Sequence, residues 1–313
     1  MKVSEFKNRI KPWMLPVAML LGIVLHNYIG YVAFLSKYLI FVMLLITYCR
    51  LKWSDFHIGP YIGWLLGVQI IGAAALYFIL RPLDPVVAQG IFICVFCPTA
   101  TAAPVITGML GGSVAKVATY SLFSHLSVAI LTPPLLSLMT ESADIYFAGS
   151  LLAISQSVLP LILGPLALTA LLARFAPRAH DAISGHQGLS FYIWALALII
   201  VVGNSVSFLM KEPANMIPQM LLLGAGALAV CVTQFAIGRR IGHRFGDAVS
   251  GAQSLGQKNT VLAIWLTLTY LNPLASTAPA AYVAWHNIVN SYQIFRKERA
   301  SHKAHNTSNS VSA

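Results

Sequence analysis

The side chain with the largest chemical consequence in this sequence is Lys258. It stands in SLGQKNTVLAIW, inside an apolar run, with Ser254, Gln257, Asn259 and Thr260 beside it. A buried ammonium can donate to backbone carbonyls or pair with a carboxylate. It can also give up its proton, because burial disfavours the charged form. A static lysine that snorkels or satisfies helix ends is the plainer alternative. A second polar interruption lies earlier, in FCPTATAAPVITGMLGG, where Pro98 and Pro104 bracket Thr99 and Thr101. Those hydroxyls can meet a ligand or bond their own helix backbone. His125 and the Trp285-His286-Asn287 triplet stand on the apolar runs that follow each interruption. His125 reads as a packed, satisfied histidine. Cys94 and Cys97 have a C-x-x-C spacing, but without a second pair in apolar surroundings they read as packed thiols, not a metal or redox centre. No phosphate loop, zinc motif or nucleophile elbow appears, so no catalytic or metal-binding residue is expected.

The elements that carry these residues follow from composition. The chain has 313 residues, of which 58% are hydrophobic and 9% charged. Soluble domains carry about 25% charged residues, so the composition excludes an ordinary soluble enzyme or a disordered chain and points to a polytopic membrane protein. Ten apolar runs are long enough to be membrane spans: about Trp13–Tyr28, Val32–Cys49, Gly59–Leu80, Pro85–Leu110, Val114–Met139, Ile145–Ala173, Leu189–Met210, Ile217–Ile237, Asp247–Leu271 and Ser276–Phe295.

The charges test that map. One set of alternate loops carries Lys2, Lys7, Arg9, Lys11, Arg50, Lys52, Lys116, Arg174, Arg178, Arg239, Arg240, Arg244, Arg296, Lys297, Arg299 and Lys303, whereas the other carries only Arg81 and Lys211. This asymmetry is the positive-inside pattern. It puts both termini in the cytoplasm of a multi-pass protein of the inner cell membrane and explains the net charge of +11 without nucleic acid. Residues 1–12 then form a cytoplasmic tail, and residues 296–313 a polar, disordered one. No acidic residue lies deep in a span, whereas proton and cation pathways usually leave carboxylates there.

Spans four and nine are the interrupted ones. Proline removes a backbone donor and clashes with the preceding turn, and in a bilayer the freed carbonyls must find partners. Pro98 and Gly256 stand 158 residues apart, about half of 313. Ten spans divided as five and five, residues 13–140 and 145–295, give two repeats inverted relative to each other. Paired interrupted spans in corresponding halves point to a transport site near the membrane midplane.

At these residues the chain resembles the bile acid:sodium symporter family. The stretches that carry the likeness are CPTATAAPVITGMLGGSVAKVATYSLFSHLSVAILTPPLLSLM (Cys97 to Met139) and SLGQKNTVLAIWLTLTYLNPLASTAPAAYVAWHNIVNSYQIF (Ser254 to Phe295). The resemblance implies an all-α fold of ten transmembrane helices, with a panel of spans one, two, six and seven. The remaining spans form a core, in which the two broken helices cross. It implies transport of an organic anion, bile-acid-like or a smaller carboxylate, bound between panel and core and moved by alternating access. Half-helix N-termini at a crossing favour anions. The substrate-binding candidates are Thr99, Thr101, Pro104, Lys258, Asn259, Thr260, His286 and Asn287.

The sodium ligands implied by the same resemblance are largely replaced. Ala103 and Pro104 stand where the family has a Ser-Asn pair. Ser254 stands where it has a shared glutamate. Lys258 replaces the glutamine that follows, unless a one-residue slip puts Gln257 there. Ser124, Ser127 and Gln69 remain as candidates, so the ion-coupling set is Gln69, Ser124, Ser127, Ser254, Gln257 and Lys258. Two unit charges a few ångströms apart in a poorly screened interior repel by several kcal/mol, so sodium beside a charged Lys258 is not expected. The ammonium is expected to replace a cation, with proton coupling as one consequence and no resident cofactor. The partners are the anion and membrane lipid, and the oligomeric state is open. A cation/proton antiporter on a related fold and an integral membrane enzyme are the alternatives. The first lacks buried carboxylates, and the second lacks a clustered base, nucleophile and orienting group.

Overall fold

A computed structural model describes residues 17–49, 58–100, 102–139, 147–185, 187–211 and 213–311. Thr101, the N-terminal tail 1–12 and the segments 50–57 and 140–146 lie outside these residues. The helices fall on the apolar runs, except one over Pro177–Gly185 that lies between two of them. In chain order they are α1 (17–24), α2 (His26–Ile29), α3 (Leu35–Cys49), α4 (Pro60–Leu80), α5 (Pro85–Phe96), α6 (Ala103–Met109) and α7 (Val114–Met139). They continue with α8 (Phe147–Phe175), α9 (Pro177–Gly185), α10 (Gln187–Leu209), α11 (Ile217–Arg244), α12 (Ala248–Gly256), α13 (Thr260–Tyr270) and α14 (Thr277–Val311). Among the described residues there is no strand, only an isolated antiparallel bridge between Thr99 and Lys258.

Among the described residues, three helical stretches are long and apolar enough to cross a membrane: Pro60–Leu80, Val114–Met139 and Ala214–Arg244. A fourth forms if His26–Val32 and Leu35–Cys49, bent by 73°, count as one span. The outer faces suit lipid: Trp64, Ile71 and Phe78 of α4 and Leu221, Leu222 and Val232 of α11 are exposed. The last helix runs on to Val311, through polar residues for which the sequence predicts no structure. No glycine or proline interrupts residues 280–311, so nothing in the backbone stops the helix from propagating once α14 has nucleated it.

The helices pack in two groups. In one, α2, α3, α8, α9 and α10 lie against one another. In the other, α4 and α11 lie on α5, α12 lies on α6, α7 and α11, and α14 lies on α5, α11 and α13. The groups meet where α8 packs on α7 and where α10 and α3 pack on α13.

The closest approach is between α11 and α12. A methyl group at Gly251 would come within 2.1 Å of the Gly238 carbonyl oxygen and 2.6 Å of the Gly242 Cα. Small residues four apart let two membrane helices touch along their backbones, and here they hold α12 at the depth where it breaks. The second group is closed by an apolar core in which Phe92 and Phe96 stack with centroids 4.9 Å apart.

Candidate functional site

The two interruptions meet. α5 ends at Phe96 and α6 starts at Ala103, whereas α12 ends at Gly256 and α13 starts at Thr260. The short extended pieces between them run antiparallel. Asn259 N donates to the Pro98 carbonyl at 2.8 Å, and Ala100 N donates to the Gln257 carbonyl at 3.1 Å. This satisfies backbone groups that a bilayer could not.

A helix that stops inside the protein leaves its last four carbonyls without intrahelical donors. At the end of α5 each finds one. Ile93 O accepts from Cys97 N at 3.0 Å. Cys94 O accepts from Gln234 Nε2 at 3.2 Å, Val95 O from Lys258 Nζ at 2.7 Å and Phe96 O from Gln69 Nε2 at 2.7 Å. At the end of α12, Ser254 O accepts from Thr99 Oγ1 at 2.8 Å and Gly256 O from Tyr282 OH at 2.9 Å. Thr99 and Lys258 face each other in the bridge, and each reaches the carbonyl four residues before its partner, Ser254 O and Val95 O. The exchange is reciprocal.

Lys258 is 1% exposed, and among the described residues no carboxylate pairs with it. Its amino group sits at the C-terminal end of α5, the end whose dipole favours a cation. Gln69 is spent in the same way. Its Oε1 accepts from Tyr120 OH at 2.5 Å and from Ser124 Oγ at 2.8 Å, while its amide caps α5. Ser254 Oγ meets Tyr61 OH at 3.2 Å. Gln257 donates its side-chain amide to Gln253 Oε1.

The structure therefore brings together Thr99, Gln69, Ser124, Ser254, Gln257, Lys258, Asn259 and Thr260. Pro104 is buried in the first turn of α6 next to the crossing. Ser127 is half-buried three residues beyond Ser124, outside these bonds. His286 and Asn287 are not at the crossing. The Asn287 amide donates to Val283 O of its own helix at 2.8 Å, and the His286 ring meets Tyr282 edge-on at 5.6 Å. Asn259 Oδ1 caps α13 by accepting from Leu262 N at 3.2 Å, while Asn259 Nδ2 and Thr260 Oγ1, both buried, have no partner among the described residues. These two unfilled groups lie at the N-terminus of α13.

Sequence reasoning missed Tyr61, Tyr120, Gln234 and Tyr282. A signal for Gln234 was present. A glutamine within an apolar run must find hydrogen-bond partners inside the protein, and Gln69 and Gln234 both find theirs at the end of α5. The tyrosines carried no such mark. Cys49, Cys94, Cys97 and Cys231 are free and buried, and no cluster of His, Cys, Asp and Glu among the described residues is suited to a metal.

The model of the Sodium Bile acid symporter family matches residues 53–212, which is just over half of the chain. That stretch holds the first interruption and its following helices, and Lys258 lies beyond it. A search of the curated proteins finds no match.

Proposed function

Since the chain belongs to the sodium bile acid symporter family, a family of membrane transporters and not of enzymes, we propose that it is a secondary transporter of an organic anion that works without the family's usual sodium sites. In this reading ten spans form two inverted repeats in the inner cell membrane, with both termini in the cytoplasm. The first packing group is the panel, the second is the core, and the anion binds between them at the crossing. Alternating access is a rocking of one group against the other.

The observation that carries the reading is the Lys258 ammonium on the Val95 carbonyl. An amino group, positive when protonated, stands where a transported cation would otherwise offset the end of α5. It also repels a second cation nearby. Gln69 and Ser124, two of the three remaining oxygen candidates, are bonded to each other. For the anion, Asn259 Nδ2 and Thr260 Oγ1 offer two unfilled donors at the N-terminus of an 11-residue helix, a place that favours a carboxylate.

The test is uptake into proteoliposomes of labelled organic anions, from bile acids to pantoate, under a sodium gradient, a proton gradient and neither. Uptake indifferent to sodium is expected. Sodium-driven uptake overturns the sodium-free reading, and no uptake of any anion overturns the transport of this substrate class. Lys258→Ala is expected to lower uptake, and an unchanged rate and pH dependence would remove Lys258 from both binding and coupling.

A further inference from the structure

The crossing continues into a second polar feature on α14. Tyr282, His286, Asn290 and Gln293 follow at spacings of four, four and three residues, which places them on one helix face. The ends of this row fix the direction it faces. Tyr282 OH donates to Gly256 O at 2.9 Å, and Gln293 Oε1 accepts from Gln253 Nε2 of α12 at 3.0 Å. On α11, Gln234 Nε2 donates to Tyr282 OH at 3.0 Å. A seam between α11, α12 and α14 is thus lined by amides and ring groups. It runs from half-buried Gln293, towards the basic end of α14, to Gln257 at the crossing.

The middle of this seam holds buried polar atoms without protein partners among the described residues. His286 is 1% exposed and Asn290 and Gln234 are each 3% exposed. His286 Nδ1, Asn290 Nδ2 and Oδ1, and Gln234 Oε1 have no hydrogen-bond partner among the described residues. An unpaired buried amide is costly, and buried groups of this kind are normally met by enclosed water. Four such atoms along one seam, two of them acceptors and one an amide donor, call for a chain of water rather than for one solvent molecule.

We propose that the α11–α12–α14 seam holds a chain of water molecules that carries protons between the basic end of the molecule and the crossing, with His286 as its proton-binding side chain. Water joined to an imidazole is a common proton relay inside membranes. The titratable neighbours are few. Tyr282 lies one turn away on α14, Cys231 lies on α11, Cys94 lies on α5, and Lys258 stands beside Gln257 at the crossing. From α12 come only the amides of Gln253 and Gln257 and the hydroxyls of Ser250 and Ser254. No charged side chain is placed against His286 among the described residues. The seam lies within the second packing group, so protons and the anion would take separate routes.

The proton-driving role rests on the transporter reading above, but the water chain does not. Radiolytic hydroxyl-radical footprinting of the unmodified protein therefore tests the chain directly, because radicals form at bound water. Labelling of Tyr282 and His286 is expected, with none at the equally buried Phe92 and Phe96. Equal protection of all four overturns the proposal. In proteoliposomes, Asn290→Leu should remove the amide that holds the water, abolish labelling at His286 and remove proton-gradient-driven anion uptake while anion counterflow continues. Retained proton-driven uptake in that variant overturns the proton role. If the unmodified protein shows no counterflow of any anion, the transporter reading fails instead, and the footprint still decides the water chain.

Discussion

Lys258 shows how a residue acquires a role from its partner. A lysine within an apolar run must be accommodated, and here the ammonium replaces a missing backbone donor at the end of α5. Gln69 does the same for the next carbonyl and ties α4 to α7 through Tyr120 and Ser124. Gln69→Leu should leave Phe96 O and both hydroxyls without their partner. Each buried orphan costs about 1–3 kcal/mol, so a clear fall in the thermal midpoint in detergent is expected. An unchanged midpoint would mean that other donors replace the amide. The resemblance also suggests a gain of function. A double variant, Ser254→Glu with Lys258→Gln, returns the implied carboxylate and amide to the crossing. Its thermal midpoint should rise with sodium concentration, as linkage requires of a ligand that binds the folded state. The unmodified protein should show no such rise.

At the scale of elements, the site depends on where helices are allowed to stop. α5 stops because Pro98 has no amide hydrogen to continue the ladder. α12 has no proline. It stops at Gly256, which lies so close to the Phe235 ring that a methyl group would be 2.4 Å from it. Asn259 then caps the next helix. The position of α12 is set by the backbone contact of Gly251 with Gly238. Gly251→Ala forces these helices apart, and overpacking of this kind costs about 1–3 kcal/mol or more. Gly63 makes a useful contrast, because a methyl group there meets nothing within 4 Å. Gly63→Ala should be neutral or stabilising by up to about 1 kcal/mol, since alanine restricts the unfolded chain more. Thermal unfolding of the two variants side by side checks both, and equal midpoints would refute the role assigned to the glycine contact.

At the scale of the whole molecule, two packing groups and one crossing account for the distribution of polarity. Hydrogen-bonding side chains concentrate where half-helices end, and apolar ones cover α4 and α11 outside. The charged loops are what orient such a chain in a bilayer. A cysteine introduced at Ser310 should be reached by a membrane-impermeant thiol reagent only from the cytoplasmic side, and so should one at Ser4. Labelling of either from outside would reverse the orientation drawn from the charges. The native cysteines do not interfere, because all four are buried.

The apolar runs, the interruptions at Pro98 and Gly256 and the isolation of Lys258 were all legible along the chain. Each is a local property: lipid demands long apolar segments with internally satisfied backbones, and a proline or a buried charge violates that demand wherever it stands. The partners were not legible. Val95 lies 163 residues before Lys258, and Thr99 lies 155 before Ser254. Nothing in the local sequence says which carbonyl a side chain will reach. Likewise His286 read as a contact for the substrate, Asn290 carried no mark on its apolar helix, and Tyr120 and Tyr282 read as aromatic packing. Only the tertiary structure decided that the tyrosines close the crossing and that the other two stand unpaired beside it. Hydrogen-bond satisfaction in a dry interior depends on which helix ends face each other, and that is a property of the packing.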